Sequence, residues 1–159
     1  MATTILAAKQ AVRDVVTAAL AAAGEADVQV RWGMAGPWAG IDLVCVGDVT
    51  TDRTRPRMGP QRLGDEEHAV TLAVSSSTRD ALEQETVTAR ACHLLDVIDA
   101  SLRTATGEAL TTAGVAAGLT LGQITGQVQL VETPPDDPNV ARGRYALLTA
   151  TVVVRSRRT

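Results

Sequence analysis

Hydrophobic periodicity along this chain switches between the helical and the extended value, which restricts it to a fold that combines helices with a sheet. Residues 3–23 carry Ile5, Ala8, Val12, Val15, Ala19 and Ala22 at three- and four-residue steps, the stripe of an amphipathic helix. Thr3 or Thr4 is placed to cap its start and Gly24 to stop it. Residues 27–32 alternate instead, with Val28, Val30 and Trp32 set against Gln29 and Arg31, and read as a half-buried strand. GMAGPWAG (33–40) reads as a Gly/Pro turn. Ile41, Leu43 and Cys45 then mark a second strand that ends near Gly47 and closes a hairpin with the first. A third strand over 67–75 puts Val70, Leu72 and Val74 on one face.

The helical period returns in SSSTRDALEQETVTARACHLLDVIDASLRTATG. Val87, Ala91, Leu94, Leu95, Ile98 and Leu102 share one stripe, which predicts a helix from about Arg79 to Thr104. Ser77 or Thr78 would cap it, Asp80 and Glu83 suit its positive end, and Gly107 breaks it. Further on, Leu119 and Leu121 fall on odd positions but Ile124, Val128 and Leu130 on even ones. A one-residue phase slip near Gly122 is what a β-bulge produces, so 119–131 reads as a bent strand. ETPPDDPNVARGR (132–144) is a turn region. Residues 145–155 form a last strand, apolar on both faces, that is either central in a sheet or covered by a neighbouring subunit. The expectation is α+β: a mostly antiparallel sheet of about five strands with two helices on one face, in a single domain spanning 1–159.

The material for the core is unusual. Phe is absent, Tyr145 is the single tyrosine, and Trp32 and Trp38 complete the aromatics. Aliphatic side chains and alanine must do the packing. A partner surface must likewise use backbone pairing, aliphatics and arginine in place of the aromatic residues that dominate many interfaces. The apolar opening Ala2–Ala23 is interrupted by Lys9, Arg13 and Asp14, so it suits neither a membrane span nor a signal peptide. Cys45 and Cys92 lie in no ligand-like cluster. They read as two buried free thiols in a soluble protein of a reducing compartment.

No motif advertises chemistry. His93 and Asp96 stand at a helical spacing that can chelate a metal, but without a second His–acid pair they read as a polar helix edge. Glu66, Glu67 and His68 precede a strand and read as solvated charges. Ser75–Ser77 lacks a nucleophile-elbow setting, and no phosphate-binding glycine loop is present. Asp136 and Asp137 sit in a proline-rich turn. The expectation is a protein that is not an enzyme and carries no metal and no cofactor.

The strongest charge contrast is TDRTRPRMGPQRLG, Thr51 to Gly64. With Arg53, Arg55, Arg57, Arg62 and one acid, Asp52, it holds +3 in a chain of net charge −3, leaving −6 for the rest. It reads as an extended basic loop between strands 2 and 3, and 155–159 as a frayed basic tail. Loops this long in small domains are usually functional or disordered. The arm is a solvated run, a phosphate contact or a docking element for an acidic protein surface. Absent interleaved aromatics and a pI near 5.3 favour protein contact.

Taken together, the helix ending at Gly24, VQVRWG and IDLVCVGDV as early strands, GDEEHAVTLAVSSS, RACHLLDVIDASL, and a glycine-rich bend before a closing strand resemble the tail terminator proteins of long-tailed bacteriophages, also called tail completion or tail-to-head joining proteins. The resemblance is one of pattern over nearly the whole chain. It implies a structural virion protein of the tail or neck, assembled in the host cytoplasm. Its homo-hexameric ring would cap the tail tube protein and join it to a head–tail connector or stopper protein. Viral DNA would pass through the lumen without specific recognition, and no membrane would be involved. Under this reading Arg53, Arg55, Arg57 and Arg62 are partner-binding candidates, and Tyr145, Leu147 and Val153 are subunit-interface candidates. The alternatives are a head–tail stopper or other neck ring, a small cytosolic enzyme or ligand-binding α+β domain, and a nucleic-acid-binding module working through the arm.

Overall fold

A computed structural model describes residues 2–34, 41–53, 65–78, 84–104, 118–133 and 143–157. Helix α1 (Ala2–Ala22) is followed by strands β1 (Gln29–Trp32), β2 (Leu43–Arg53) and β3 (Asp65–Thr78), helix α2 (Gln84–Thr104), and strands β4 (Leu119–Glu132) and β5 (Arg144–Arg157). The strands form one sheet in the order β1-β2-β3-β5-β4. The architecture is α+β, with a mostly antiparallel five-stranded sheet and two helices.

Register explains why both helices share one face. Val74 pairs with Val44 and Leu148, and Leu72 with Val46 and Ala150. Side chains at such matched positions point to the same side of a pleated sheet. On that side lies the main core. It joins Val44, Val46, Val70, Leu72, Val74, Ala146, Leu148, Val152 and Val154 to Ala8, Ala11, Val12 and Val16 of α1 and to Val87, Ala91, Leu94 and Ile98 of α2. With no bulky rings to place, alanines on α1 and Ala91 on α2 sit fully buried between the layers. Such a core depends on its few large side chains. Truncating Ile98, which is 0% exposed, to alanine would cost about 2–5 kcal/mol.

Several expectations are corrected. Strands β1 and β2 do not form a hairpin; they run parallel, Gln29 opposite Leu43 and Trp32 opposite Val46. Side-chain alternation is the same in either direction, so it carries no information on strand polarity. The ten residues 33–42 between the strands exceed an ordinary hairpin loop and give the chain length to return. Strand β2 also does not stop at Gly47. Its register shifts between Val46 and Val49, and pairing then continues to Arg53 opposite Glu66. Ser77 and Thr78 are not helix caps but the end of β3, where the Ser77 hydroxyl donates to the Ile41 carbonyl at 3.1 Å. Thr4 likewise lies inside α1 and donates to the Glu66 carboxylate at 3.0 Å.

Other readings hold. Gly24 follows α1 in the left-handed region, φ 79°, as a C-terminal stop requires. Strand β4 has the expected irregularity, with register shifts between Leu121 and Ile124 and again between Thr125 and Gln129. Strand β5 is central, between β3 and β4, as one of the two expected alternatives had it; one face carries the helix-side core and the other contributes Leu147 to a smaller cluster. No helix among the described residues is long and apolar enough to cross a membrane.

Candidate subunit interface

The face of the sheet opposite the helices holds the sequence-derived interface candidates. Tyr145, Leu147 and Val153 occupy odd positions of β5, alternating with the core residues Ala146, Leu148, Val152 and Val154, and each is half-buried. They share a face but not a function within the subunit. Leu147 packs on a second, small cluster of Leu43, Cys45 and Ala73. Tyr145 is tied through its backbone: its N–H donates to the Thr133 hydroxyl at 2.7 Å, and its carbonyl accepts from the Gln84 amide at 3.1 Å. Val153 lines a shallow groove of about 230 Å³ with Leu121, Gly122 and Arg155. Across the middle of this face Thr71, Thr151 and Thr125 stand in one rung of three strands.

Exposed apolar side chains are concentrated elsewhere. Among the described residues, the large ones are Leu6, Trp32, Met34, Val128, Leu130 and Val131. The last three belong to β4, where every residue from Thr125 to Glu132 is exposed, on both faces. No charged residue and no proline occurs in β4 before Glu132. Soluble proteins commonly protect such an edge with lysine, proline or a covering element. At the opposite edge Trp32 is 45% exposed, and Lys9 of α1 lies 4.6 Å from its ring centroid. Sequence reasoning missed both groups. The uncharged stretch from Ala109 to Val131 was the available signal for β4.

The arm's root is better defined than the arm. Thr51, Asp52 and Arg53, assigned to the loop from sequence, are strand residues paired with His68, Glu67 and Glu66. Arg55, Arg57 and Arg62 lie outside the described residues. The expected tail is also strand as far as Arg157, and Arg155 donates to Glu67 at 3.1 Å.

Beneath the root, Glu66 and His68 are not solvated charges: they are 5% and 0% exposed and share the helix-covered face. His68 Nδ1 is 2.9 Å from the Thr51 hydroxyl, while Nε2 lies 3.9 Å from Glu66 and makes no hydrogen bond. Burial holds the imidazole below its ordinary pKa, with the Glu66 charge pulling the other way. Next along β5, the Ser156 hydroxyl is buried without a partner.

A second polar cluster fastens α2 to the other end of the sheet. Arg90 reaches Asp42 through Nε at 2.8 Å and Glu25 through Nη1 at 2.7 Å. The Ser76 hydroxyl donates to Asp42 at 2.6 Å. His93 contacts Glu25 at 3.3 Å. Hydrogen bonds from Arg90 hold the Glu25 carboxyl below its ordinary range, and the two carboxylates raise the guanidinium pKa further. Each member is answered by another, so the cluster serves as a latch. Cys92, one residue from His93, is exposed, not buried as expected; only Cys45 is enclosed. No group of three or more His, Cys, Asp or Glu among the described residues is placed to hold a metal.

Comparison with known protein families and with curated proteins finds no match for this chain.

Proposed function

We propose that this protein is a structural ring component of a long-tailed phage virion, a tail terminator that caps the tail tube and presents a face to the head connector. The observation that carries the reading is the unprotected edge of β4: eight successive exposed residues, Thr125–Glu132, with Val128, Leu130 and Val131 among them and no charge before Glu132. An apolar sheet edge without charge or proline is an aggregation hazard unless assembly covers it. A closed ring covers it in every subunit.

The position of the arm agrees with this role. It leaves the sheet from the strand ends at Arg53 and Asp65, whereas the uncovered surfaces run along the strand edges. In a ring built through those edges, a loop at the strand ends projects above or below the ring. Arg53, Arg55, Arg57 and Arg62 would there meet the acidic surface of the tube or connector protein. Such contacts gain charge-assisted hydrogen bonds and need no catalytic group. The test is electron microscopy of infected-cell lysates in which this gene is disrupted. Overlong tail tubes without heads are expected; tails of normal length joined to heads would refute the assignment.

A further inference from the structure

We propose that successive copies of this chain join edge to edge, the Gln127–Val131 stretch of β4 on one copy pairing with β1 of the next. This rests on the ring reading and names its two contact surfaces. A ring interface is heterologous, so the surface complementary to β4 must lie elsewhere on the same chain. The sheet has two edges, β1 and β4. The exposed large apolar residues divide between them: Val128, Leu130 and Val131 on β4, with Trp32 on β1. Near Trp32 stand Met34, two residues on, and Leu6, one turn before the Lys9 that covers the indole.

Strand register brings the two edges level. Gln29 lies in line with Leu43, Ser75, Leu147 and Val131; Val30 with Val44, Val74, Leu148 and Leu130; and Arg31 with Cys45, Ala73, Thr149 and Gln129. The short strand β1 thus sits at the same height as the part of β4 that is exposed on both faces. Polarity agrees as well. Strand β2 runs with β1, β3 against it, β5 with it and β4 against it. A like-oriented neighbour therefore meets β4 with an antiparallel β1, and Leu130 and Val30 emerge on the same face of the continued sheet.

The chemistry of the edges is compatible. Pairing desolvates no charge on β4 before Glu132, and Arg31, the one charged residue of β1, falls level with the neutral Gln129. Trp32 supplies the large aromatic contact that few other residues of this chain can provide. Self-pairing of β4 about a two-fold axis would close a dimer after one contact and leave Trp32, Met34 and Leu6 uncovered. Head-to-tail pairing covers both groups.

Disulfide trapping tests the assignment. In a Cys92→Ser background, which removes the exposed thiol and leaves buried Cys45 in place, Leu130→Cys is combined with Val30→Cys. A second protein combines Leu130→Cys with Trp32→Cys, to allow a two-residue stagger. Facing residues on antiparallel neighbours have Cβ atoms about 4.5–5.5 Å apart, close enough to bridge after a small adjustment. Oxidation of the concentrated, folded full-length protein should give a reducible ladder of linked copies from at least one double variant and none from any of the three single variants. Dimers from Leu130→Cys alone, or no linkage from both double variants, would overturn the edge pairing. Rings seen by electron microscopy without linkage would uphold the ring and reject these surfaces. Ladders running into open polymers would uphold the surfaces and reject the ring.

Discussion

Gly122 tests the geometry of the β4 edge most directly. Its φ is not in the left-handed region, so an alanine there faces no backbone penalty, and space alone decides the outcome. A Cβ at this position would collide with the Val153 carbonyl oxygen of the adjacent strand, with the carbonyl carbon at 3.4 Å and the Val153 Cβ at 3.6 Å. The obstructing atom is backbone held in the β4–β5 ladder, so the strands must separate at the bulge. Overpacking of this kind costs about 1–3 kcal/mol. The restricted unfolded chain of the alanine variant offsets about 0.4–1 kcal/mol. The net loss for Gly122→Ala spans about 0–2.6 kcal/mol and centres on ~1.3 kcal/mol, a fall in Tm of roughly 3–5 °C for a domain of this size.

Gly47→Ala is the internal control. Its Cβ would meet the Met34 Sδ at 2.6 Å, a comparable collision on paper. Met34 is 51% exposed and flexible, so the thioether swings aside, and the expected change is within about 0.5 kcal/mol. Thermal and urea unfolding followed by far-UV circular dichroism measure both variants. Gly122→Ala as stable as the parent, or Gly47→Ala the more damaged of the two, would refute the registration of β4 on β5. Because the bulge at Gly122 sets how β4 presents its outer edge, Gly122→Ala should also reduce self-association.

Two further perturbations probe the polar clusters. The folded-state pKa of His68 is depressed below its unfolded value of 6.5, so the unfolded chain binds the proton more readily. Stability is fully retained above pH 6.5 and lost as pH falls from there through the folded pKa, by at most about 1.4 kcal/mol per pH unit. His68→Gln should remove that component of the slope in urea titrations at pH 7 and 5.5, and an unchanged slope would refute it. For the latch, Arg90→Met should lower Tm by leaving Glu25 and Asp42 without their shared cation. Arg90→Lys should restore only part of the loss, because a single ammonium cannot reproduce the fork that reaches both carboxylates. Full recovery with lysine would show that charge alone matters there.

What the sequence conveyed and what it withheld separate along physical lines. Helix α2 was legible because its stripe, Val87 to Leu102, is a local property that no strand period mimics. The bulge in β4 was legible for the same reason, as a slip of phase between Leu121 and Ile124. The parallel pairing of β1 with β2 was not, since Val28, Val30 and Trp32 alternate identically in either direction. Burial of Glu66 and His68 was hidden too. Acids ahead of a strand look solvated until β5 is known to pair alongside, placing Val154 beside His68, and α1 to lie across them, placing Thr4 against Glu66.

The interface candidates illustrate the same division more sharply. Both apolar faces of β5 were visible in the sequence, and they invited Tyr145, Leu147 and Val153 as contacts for a neighbour. The insertion of β5 between β3 and β4 satisfies its backbone within the subunit, while those three side chains stay half-buried on the face opposite the helices. That insertion also turns β4 into an edge. Whether a strand is an edge is a property of topology, and sequence order placed β4 beside the long helix and before the last strand, with nothing to mark it as outermost. Its lack of charge from Leu119 to Val131 therefore carried no weight until the strand order was known. In the interior of a sheet an uncharged strand is ordinary. At an edge exposed over eight successive residues it leaves out charge and proline before Glu132 and keeps only its irregular register as a defence, and that is the surface on which the proposed pairing with another copy rests.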